Sequence, residues 1–393
     1  MRAIIVGGGI GGLSAACALV LHGWQVELLE QAPALEEVGA GLQISPNGTR
    51  VLEALGVMEA LTPVLFEPEN VELRLGQSGR IIFRIPMKRI ARRRWGARYF
   101  QVHRADLVEV LRARLAALQP DAIRLGVRID GYRQQANGIV ALTSEGETER
   151  ADLLIGADGI RSAVKRQMLG DVQPQFTGNV AWRAVVPTCQ LTGDAPPPSG
   201  VVWAGAGRHA VTTYLRAGSL VNFVGIVEQN DWREEGWHHP GNPEQAKADF
   251  QNWHPCIAAI LDQVGSMHRW ALFDHAKLPR WSDGRAVLLG DAAHPMLPSM
   301  AQGAVMALED AWVLARTSSN VSDPVDAANR YYETRIARVT AVQRRSAANA
   351  KVFHLPNALV RSAAYAPLWV ASRIAPGALQ GLQDRIYFHD VTA

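Results

Sequence analysis

The chain has 393 residues, and 40 Lys+Arg against 37 Asp+Glu give a formal net charge of +3. The length indicates two or three domains, and 48% hydrophobic with 20% charged residues exclude a disordered chain. A pI near 8.8 is too mildly basic to indicate nucleic-acid binding. The three widely spaced cysteines, Cys17, Cys189 and Cys256, exclude a disulfide scaffold and a cysteine zinc site. They favour a reducing, cytoplasmic location, and we expect no metal.

The first elements in chain order form a βαβ unit. Residues 1–6 and 24–30 are predicted buried strands, and residues 13–22 are a predicted helix between them. A right-handed crossover makes the two strands parallel.

The turn between the first strand and the helix is rich in glycine. Gly7, Gly9 and Gly12 have the GxGxxG spacing, and Glu30 ends the second strand. This arrangement predicts that a pyrophosphate binds at the helix N-terminus and that Glu30 accepts hydrogen bonds from a ribose. The alternative, a turn that only packs a helix on a sheet, leaves five glycines in positions 7–12 unexplained.

The next stretch continues the mixed α/β pattern. Predicted helices cover residues 47–55 and 105–118, a hairpin covers 71–75 and 80–85, and strands cover 122–132, 138–143 and 152–155.

The predicted secondary structure and the tryptophan content change near residue 172. Strands at 177–187, 201–204, 210–215 and 220–227 are predicted to form a mainly antiparallel sheet. Seven of the eleven tryptophans lie in or just beyond residues 172–278: Trp182, Trp203, Trp232, Trp237, Trp253, Trp270 and Trp281. A buried strand at 285–289 and a helix at 302–315 then return to the earlier pattern. We therefore expect a discontinuous nucleotide-binding domain with a β-rich domain inserted in it.

Two later motifs distinguish a flavin from a nicotinamide nucleotide. Each is a buried strand that runs into an acidic turn, at Asp158 and at Asp291. A carboxylate at a strand tip can hold the hydroxyls of a flavin's ribityl chain. The helix after Gly303 would point its positive end at the flavin pyrimidine and stabilise the reduced anion.

These motifs resemble those of the single-component FAD-dependent aromatic hydroxylases, the para-hydroxybenzoate hydroxylase and salicylate hydroxylase class. GGGIGG, DGIRSAVK and GDAAHPMLPSMAQGAVMALEDA occur in the family's order, and Arg104 in Val-His-Arg-Ala-Asp-Leu matches a family position. The resemblance covers residues 1–345. It implies an α/β fold: an FAD-binding Rossmann-like domain, an inserted β-rich substrate domain and a C-terminal helical segment.

The resemblance also implies the reaction. NADH or NADPH docks transiently and reduces FAD, O₂ forms a flavin C4a-hydroperoxide, and an OH group is transferred to a small aromatic or heteroaromatic, acidic or phenolic ring. The turn from Asp158 to Arg161 serves both nucleotides. The residues expected to contact the cofactor are Gly7, Gly9, Gly11, Gly12, Glu30, Gln31, Gly41, Arg104, Val127, Asp158, Arg161, Asp291, Pro295, Gly303 and Ala304.

Domain boundaries follow from these motifs. We expect the FAD-binding domain at 1–70, 98–172 and 281–345, the substrate domain at 71–97 and 173–280, and the helical segment at 346–393. The sequence leaves a monomer and a homodimer equally open.

The predicted substrate domain departs from its relatives at one strand. Salicylate and 3-hydroxybenzoate hydroxylase-like members often have His and then Tyr-Pro-Leu-Arg, whereas this chain has Thr213 at the Tyr position and Tyr214 at the Pro position. The shift by one residue moves Tyr214 to the opposite strand face. His209 keeps its place, so His209 and then Tyr214 are the candidates that activate a substrate hydroxyl. An ordinary hydrogen-bonded strand histidine is the alternative.

Other residues near the site have structural alternatives. For His294 we expect a hydrogen-bonding role, with Pro295 and Pro298 shaping the flavin loop. A basic cluster either attracts an anionic substrate or nucleotide or is a solvated loop; it comprises Lys88, Arg89, Arg92, Arg93, Arg94 and Arg98. Trp95, Trp182 and Trp203 line an aromatic pocket or pack in cores.

Three other functions stay open. One is an epoxidase or hydroxylase of a hydrophobic isoprenoid or polyketide, which the apolar segment 358–374 allows. The others are an NAD-dependent dehydrogenase without flavin and a non-catalytic flavin-binding protein. Arg361, Pro367 and Arg373 interrupt segment 358–374, so we expect a docked helix pair and no membrane span, with an amphipathic membrane anchor as the alternative.

Overall fold

A computed structural model describes residues 1–35, 41–148, 150–191, 193–229, 239–274 and 277–393. Its strands are β1 (Arg2–Val6), β2 (Gln25–Glu30), β3 (Gly41–Ile44), β4 (Val71–Leu75), β5 (Ile81–Ile85), β6 (Phe100–His103), β7 (Ile123–Leu125), β8 (Ile129–Gln135), β9 (Gly138–Thr143), β10 (Gly146–Glu147), β11 (Leu153–Gly156), β12 (Gln175–Pro187), β13 (Gly200–Gly205), β14 (Arg208–Leu215), β15 (Leu220–Glu228), β16 (Pro240–Gly241), β17 (Met267–Asp274), β18 (Ser282–Asp283) and β19 (Ala286–Leu288).

The α-helices are α1 (Ile10–Leu21), α2 (Pro46–Ala54), α3 (Met58–Leu61), α4 (Met87–Trp95), α5 (Arg104–Leu118), α6 (Ala163–Leu169), α7 (Pro243–Asp249), α8 (Pro255–Asp262), α9 (Gly303–Asn320), α10 (Pro324–Phe353), α11 (Ala358–Ile374) and α12 (Pro376–Tyr387). Two short 3₁₀ turns, Gly290–Ala292 and Pro298–Met300, lie between β19 and α9.

A six-stranded sheet carries the βαβ unit. Its order is β18-β19-β11-β1-β2-β7, and β1 pairs in parallel with β2 and β11. Ala3, Ile4 and Ile5 of β1 are fully buried, because helices cover both faces of a parallel sheet. The carboxyl ends of β1, β11 and β19 therefore lie side by side.

An eight-stranded sheet forms the β-rich part, in the order β16-β17-β12-β15-β14-β13-β4-β5. Its pairs are antiparallel except β13 with β4. Trp182, Trp203 and Phe223 pack on one of its faces with Phe250, which follows α7, and with Ile257 of α8. Two smaller sheets pair β8, β9 and β10, and β3 with β6.

Most of the predicted elements are confirmed, and the strand predicted at 122–132 is wrong. That segment divides at Gly126, whose φ of +73° turns the chain. Before it, β7 ends the parallel sheet; after it, β8 begins the three-stranded sheet. Trp232 and Trp237 lie outside the described residues.

The C-terminal segment also differs from the expected helix pair. Residues 358–374 form the single helix α11 with Pro367 inside it, and α12 follows. Tyr365 is buried against the sheet, whereas Leu359 is 83% exposed and Ile374 is 79% exposed. Within the described ranges, no helix is long and apolar enough to cross a membrane.

Candidate functional site

Three sequence motifs meet at the carboxyl ends of β1, β11 and β19. A Cβ at Gly7 would lie 2.5 Å from the carbonyl oxygen of Ala157, at the end of β11. A Cβ at Gly11 would lie 2.8 Å from Leu289 Cδ2, just after β19. The glycines thus let three neighbouring strand ends approach closely, in the crevice where α/β sheets bind ligands.

The glycine turn itself leaves room for a ligand. A Cβ at Gly12 would lie 1.9 Å from the oxygen of Gly7, so only glycine fits there. A Cβ at Gly9 would meet nothing within 4 Å, so this position faces open space. Gly9 is also the N-cap of α1, where no side chain caps the free N–H groups. A pyrophosphate fits this open helix end.

Glu30 lies beside this turn at the end of β2. Its carboxylate accepts hydrogen bonds from Gly8 N at 2.6 Å and Ala32 N at 2.8 Å. Val127 N donates to the carbonyl oxygen of Glu30 at 2.9 Å, and Gln31 is exposed next to it. Glu30 therefore holds the glycine turn as well as standing where the ribose is expected.

Asp158 follows β11 and caps α6. Its Oδ2 accepts from Ala163 N at 2.7 Å, and burial raises the pKa of this carboxyl. Its Oδ1 is buried and has no hydrogen-bond partner among the described residues. Arg161, three residues on, is exposed. Together with the open space at Gly9, the unpartnered oxygen fits the expected dinucleotide.

Two further expected contacts lie on β3 and α5. Gly41 N, at the start of β3, donates to Asn222 Oδ1 at 3.2 Å, which ties β3 to the eight-stranded sheet. Arg104 is the first residue of α5.

The third motif forms a loop over this site. Asp291 is exposed in the 3₁₀ turn after β19, and Gly303 and Ala304 begin α9. Gln343 donates to the carbonyl oxygen of Pro295 at 3.0 Å, and Ser346 donates to that of Leu297 at 2.7 Å. Helix α10 thus holds the loop that the sequence assigns to the flavin.

A buried charge network supports that loop. His294 Nε2 lies 2.5 Å from Asp310 Oδ2, and Arg335 donates to Asp310 at 2.7 Å and to Glu309 at 2.6 Å. Burial raises the pKa of Asp310, but His294 and Arg335 outweigh it and hold that pKa at about 2. The geometry supports the hydrogen-bonding role expected for His294.

A small cavity lies between this loop and the eight-stranded sheet. Its lining comprises Asn179, His209, Ile226, Leu272, Leu297, Pro298, Ser299, Ala350 and His354. His209 is 1% exposed. Burial, with the neighbouring ring of His354, lowers the pKa of His209 well below its ordinary value of 6.5. The cavity therefore presents a neutral imidazole beside the flavin loop.

Tyr214 lies on the other face of β14, as the shifted spacing predicts. Its ring stacks on Phe66 with centroids 5.1 Å apart, and its hydroxyl donates to the carbonyl oxygen of Pro196 at 2.5 Å. Strand alternation puts His209 and Tyr214 on opposite faces, so the geometry supports His209 and not Tyr214 as the group beside the cavity.

The basic cluster lies mainly on a helix, α4, rather than on a loop. Acids pair with several of its members: Lys88 with Glu69 at 2.7 Å, and Arg94 with Asp384 at 2.7 Å. The indole of Trp95 also donates to Asp384. Trp95, Trp182 and Trp203 are each at most 1% exposed and pack in cores.

Sequence reasoning did not identify His354, Glu228 or Arg335. His354 lines the cavity from the end of α10, 145 residues from its partner His209. No local pattern marks such a contact, because it depends on how α10 packs against the sheet.

The fold and the three motifs define a flavin-binding protein, and comparison with known proteins agrees. A family profile described as "FAD binding domain" matches residues 1–346. 3-Amino-4-hydroxybenzoate 2-monooxygenase of Streptomyces platensis is 36% identical over 357 residues, 91% of this chain and 89% of that protein. 6-Hydroxynicotinate 3-monooxygenase of Pseudomonas fluorescens is 36% identical over 349 residues, 87% of this chain and 89% of that protein. 3-Hydroxybenzoate 6-hydroxylase of Klebsiella oxytoca is 34% identical over 357 residues, 90% and 89% of the two chains.

Solved structures of other proteins have the same fold as this chain. Klebsiella pneumoniae HpxO, complexed with FAD and uric acid, has a TM-score of 0.84 at 26% identity, covering 97% of this chain and 96% of that one. A salicylate hydroxylase substrate complex has a TM-score of 0.81 at 25% identity, covering 100% and 96%. The chain belongs to the FAD-binding domain family. It is an FAD-dependent monooxygenase, which rejects the flavin-free dehydrogenase and the non-catalytic alternatives.

Proposed function

We propose that this enzyme uses NADH or NADPH and O₂ to hydroxylate a small aromatic or heteroaromatic acid that carries a ring hydroxyl. The three relatives support this, because 3-amino-4-hydroxybenzoate, 6-hydroxynicotinate and 3-hydroxybenzoate each combine a carboxylate with a hydroxyl. Bound FAD supplies the activated oxygen once NAD(P)H has reduced it, and the protein orients the ring and moves its proton.

The position of His209 is the structural observation that supports this proposal most directly. This neutral, buried imidazole lines the cavity together with Leu297, Pro298 and Ser299 of the flavin loop. A ring hydroxyl placed there can give its proton to His209. The resulting phenolate reacts faster, because ionisation puts electron density on the ortho and para carbons, and a general base typically contributes 10²–10⁴-fold.

We assign the ring carboxylate to Arg183. Strand β14 pairs Val211 with Val224, and β12 pairs Arg183 with Val224. Directly opposed residues share a face, so Arg183 lies on the same face as Val211 and His209. It also lies over the ring of Trp270, at 4.6 Å from Cζ to the centroid. A guanidinium there can bind a carboxylate while the ring hydroxyl faces His209.

The cofactor contacts expected from the sequence are part of this proposal. Glu30, Gln31 and Val127 would hold the adenosine ribose of FAD, and Asp291 would hold its ribityl chain. Arg104 and the Asp158–Arg161 turn would bind its diphosphate region. The basic helix α4 draws in the anionic substrate or nucleotide.

We also propose the location, the oligomeric state and the domain boundaries that the sequence predicts. All three cysteines lie in the described part of the chain and are unpaired, which supports a cytoplasmic location. We propose a monomer or a homodimer, and the expected domain boundaries stay a prediction.

A substrate panel tests the proposal. The purified protein is given NADH or NADPH with hydroxylated aromatic acids, the matching phenols without carboxylate, and apolar olefins, and products are identified by mass. We expect hydroxylated acids to stimulate NAD(P)H oxidation and to gain one oxygen atom. Products from olefins alone would overturn the proposal in favour of the isoprenoid or polyketide alternative.

A further inference from the structure

Three side chains form a continuous hydrogen-bonded path from the cavity to solvent. His209 Nδ1 lies 2.6 Å from His354 Nε2, and His354 Nδ1 lies 3.0 Å from Glu228 Oε1. His209 is 1% exposed and His354 is 8% exposed, whereas the side chain of Glu228 is 57% exposed. The path therefore begins in the buried cavity wall and ends at the surface.

The carboxylate at its outer end fixes the direction of every bond. An ionised Glu228 only accepts, so His354 Nδ1–H donates to it. In a neutral His354, Nε2 is then the acceptor, and His209 Nδ1–H donates to that atom. This leaves Nε2 of His209 without a proton. Burial lowers the pKa of both imidazoles, which keeps them in these neutral forms.

Separate elements hold the path in place. His209 and Glu228 lie on the paired strands β14 and β15, and His354 caps the C-terminal end of α10. The carbonyl oxygen of His354 accepts from Gly207 N at 3.2 Å, and the ring of Phe353 packs on His209 with centroids 5.2 Å apart. The same helix holds the flavin loop through Ser346.

We propose that His354 and Glu228 form a proton relay that carries the proton of the substrate hydroxyl from His209 to solvent. The inference rests on the proposed function. The substrate O–H gives its proton to His209 Nε2, His209 Nδ1–H passes its proton to His354 Nε2, and His354 Nδ1–H passes its proton to Glu228, which releases it to water. Each ring stays neutral and changes tautomer. The reverse transfer reprotonates the product phenolate as it leaves and resets both rings.

His354 and Glu228 are positioning residues, since they act through His209. The charged groups that face His354 are Glu228 and Arg208; Glu228 raises its pKa and Arg208 lowers it, while burial lowers it most. A purely structural His354 would only orient His209. A glutamine can do that too, because its amide oxygen accepts from Nδ1–H, but a glutamine does not relay a proton.

The first test needs no substrate. ¹⁵N NMR of histidine-labelled holoprotein reports which ring nitrogen carries the proton, and the His209 and His354 signals are assigned from variants. We expect His209 as the Nδ1–H tautomer in the wild type, His354→Gln and Glu228→Gln, and a shift towards Nε2–H in His354→Phe. A wild-type His209 protonated at Nε2 would overturn the relay.

The second test measures proton release. 3-Hydroxybenzoate is mixed with oxidised holoprotein at pH 8 in weak buffer, where a free phenol with a pKa near 10 stays protonated. A pH-indicator dye follows the released proton, and near-ultraviolet absorbance follows the phenolate. We expect His354→Gln to slow release at least about tenfold and Glu228→Gln to slow it severalfold. Glu244→Gln, an exposed change on α7, is the matched control and keeps the wild-type rate.

These measurements distinguish failure of the relay from failure of the proposed function. Wild-type release rates in His354→Gln, with binding intact, would overturn the relay and leave the hydroxylase proposal standing. A wild type that binds neither 3-hydroxybenzoate nor any other hydroxylated acid of the panel would overturn the proposed function, and the relay with it.

Discussion

Asp291 is the carboxylate assigned to the ribityl chain, and it is exposed at the end of β19. Asp291→Ala removes hydrogen bonds to an ionised acceptor, each contributing about 1.5–3 kcal/mol. We expect FAD affinity to fall by about one to two orders of magnitude. Fluorescence titration of the apoprotein with FAD measures this, with the exposed Asp121→Ala as control. Equal affinity in both variants would remove Asp291 from the flavin site.

Arg183 is the residue assigned to the substrate carboxylate. Arg183→Gln removes a charge-assisted hydrogen bond, so we expect KM for a ring acid to rise about 10–100-fold. The matching phenol without a carboxylate is the control, and its KM stays within about twofold. Steady-state kinetics with the two compounds measure the difference. An equal rise for both would assign Arg183 to packing on Trp270 instead.

At the scale of elements, one ion network joins α9 to α10. Arg335 is buried between Glu309 and Asp310. Arg335→Met removes a positive charge from beside these two buried carboxylates. We therefore expect the free energy of unfolding to fall by about 3–5 kcal/mol. Urea denaturation followed by tryptophan fluorescence measures it. Arg330→Met on the exposed side of α10 is the control. A loss below about 1 kcal/mol would contradict this account.

Elements were predictable from sequence where one local pattern decides the structure. An apolar run followed by glycines predicted β1 and the glycine turn, and an apolar run that ends at Glu30 predicted β2. Two further apolar runs predicted the acidic turns at Asp158 and Asp291. The strand predicted at 122–132 failed because apolar periodicity does not show that Gly126 turns the chain into another sheet. Helix α4 was missed because its many arginines masked the buried stripe of Ile90, Ala91 and Trp95.

Only part of the candidate site was predictable from sequence, because only part of it is marked by a local pattern. The family spacing predicted His209 and the displaced Tyr214 as candidates, and strand alternation puts them on opposite faces; their catalytic roles stay a prediction. His354 and Glu228 carry no local signal. Their contacts with each other and with His209 span more than a hundred residues and depend on the packing of α10 on the sheet.

At the scale of the whole molecule, the proposed site lies where two sheets and one long helix meet. The eight-stranded sheet supplies His209, the parallel sheet supplies the flavin crevice, and α10 holds the loop between them. Burial in this junction gives His209 its low pKa.

That low pKa predicts how His209 itself titrates. His209 accepts a proton only when neutral, and burial keeps it neutral below its ordinary pKa of 6.5. We therefore expect the imidazole of His209 to stay neutral as the pH falls through 6.5 and to gain a second proton only below it. ¹⁵N shifts of His209 in histidine-labelled holoprotein from pH 5 to 8 measure this, with bound FAD checked at each pH. A His209 that is half protonated at or above pH 6.5 would contradict the neutral buried base.

We propose that this flavoprotein hydroxylates a phenolic ring with His209 as base, and the decisive measurement is the amount of product formed per NAD(P)H consumed. The ratio is measured for the wild type and His209→Ala with an acid identified by the panel. We expect the variant to keep FAD and flavin reduction, to form product about a hundredfold more slowly, and to divert its reducing equivalents to hydrogen peroxide. An unchanged ratio and rate would contradict it.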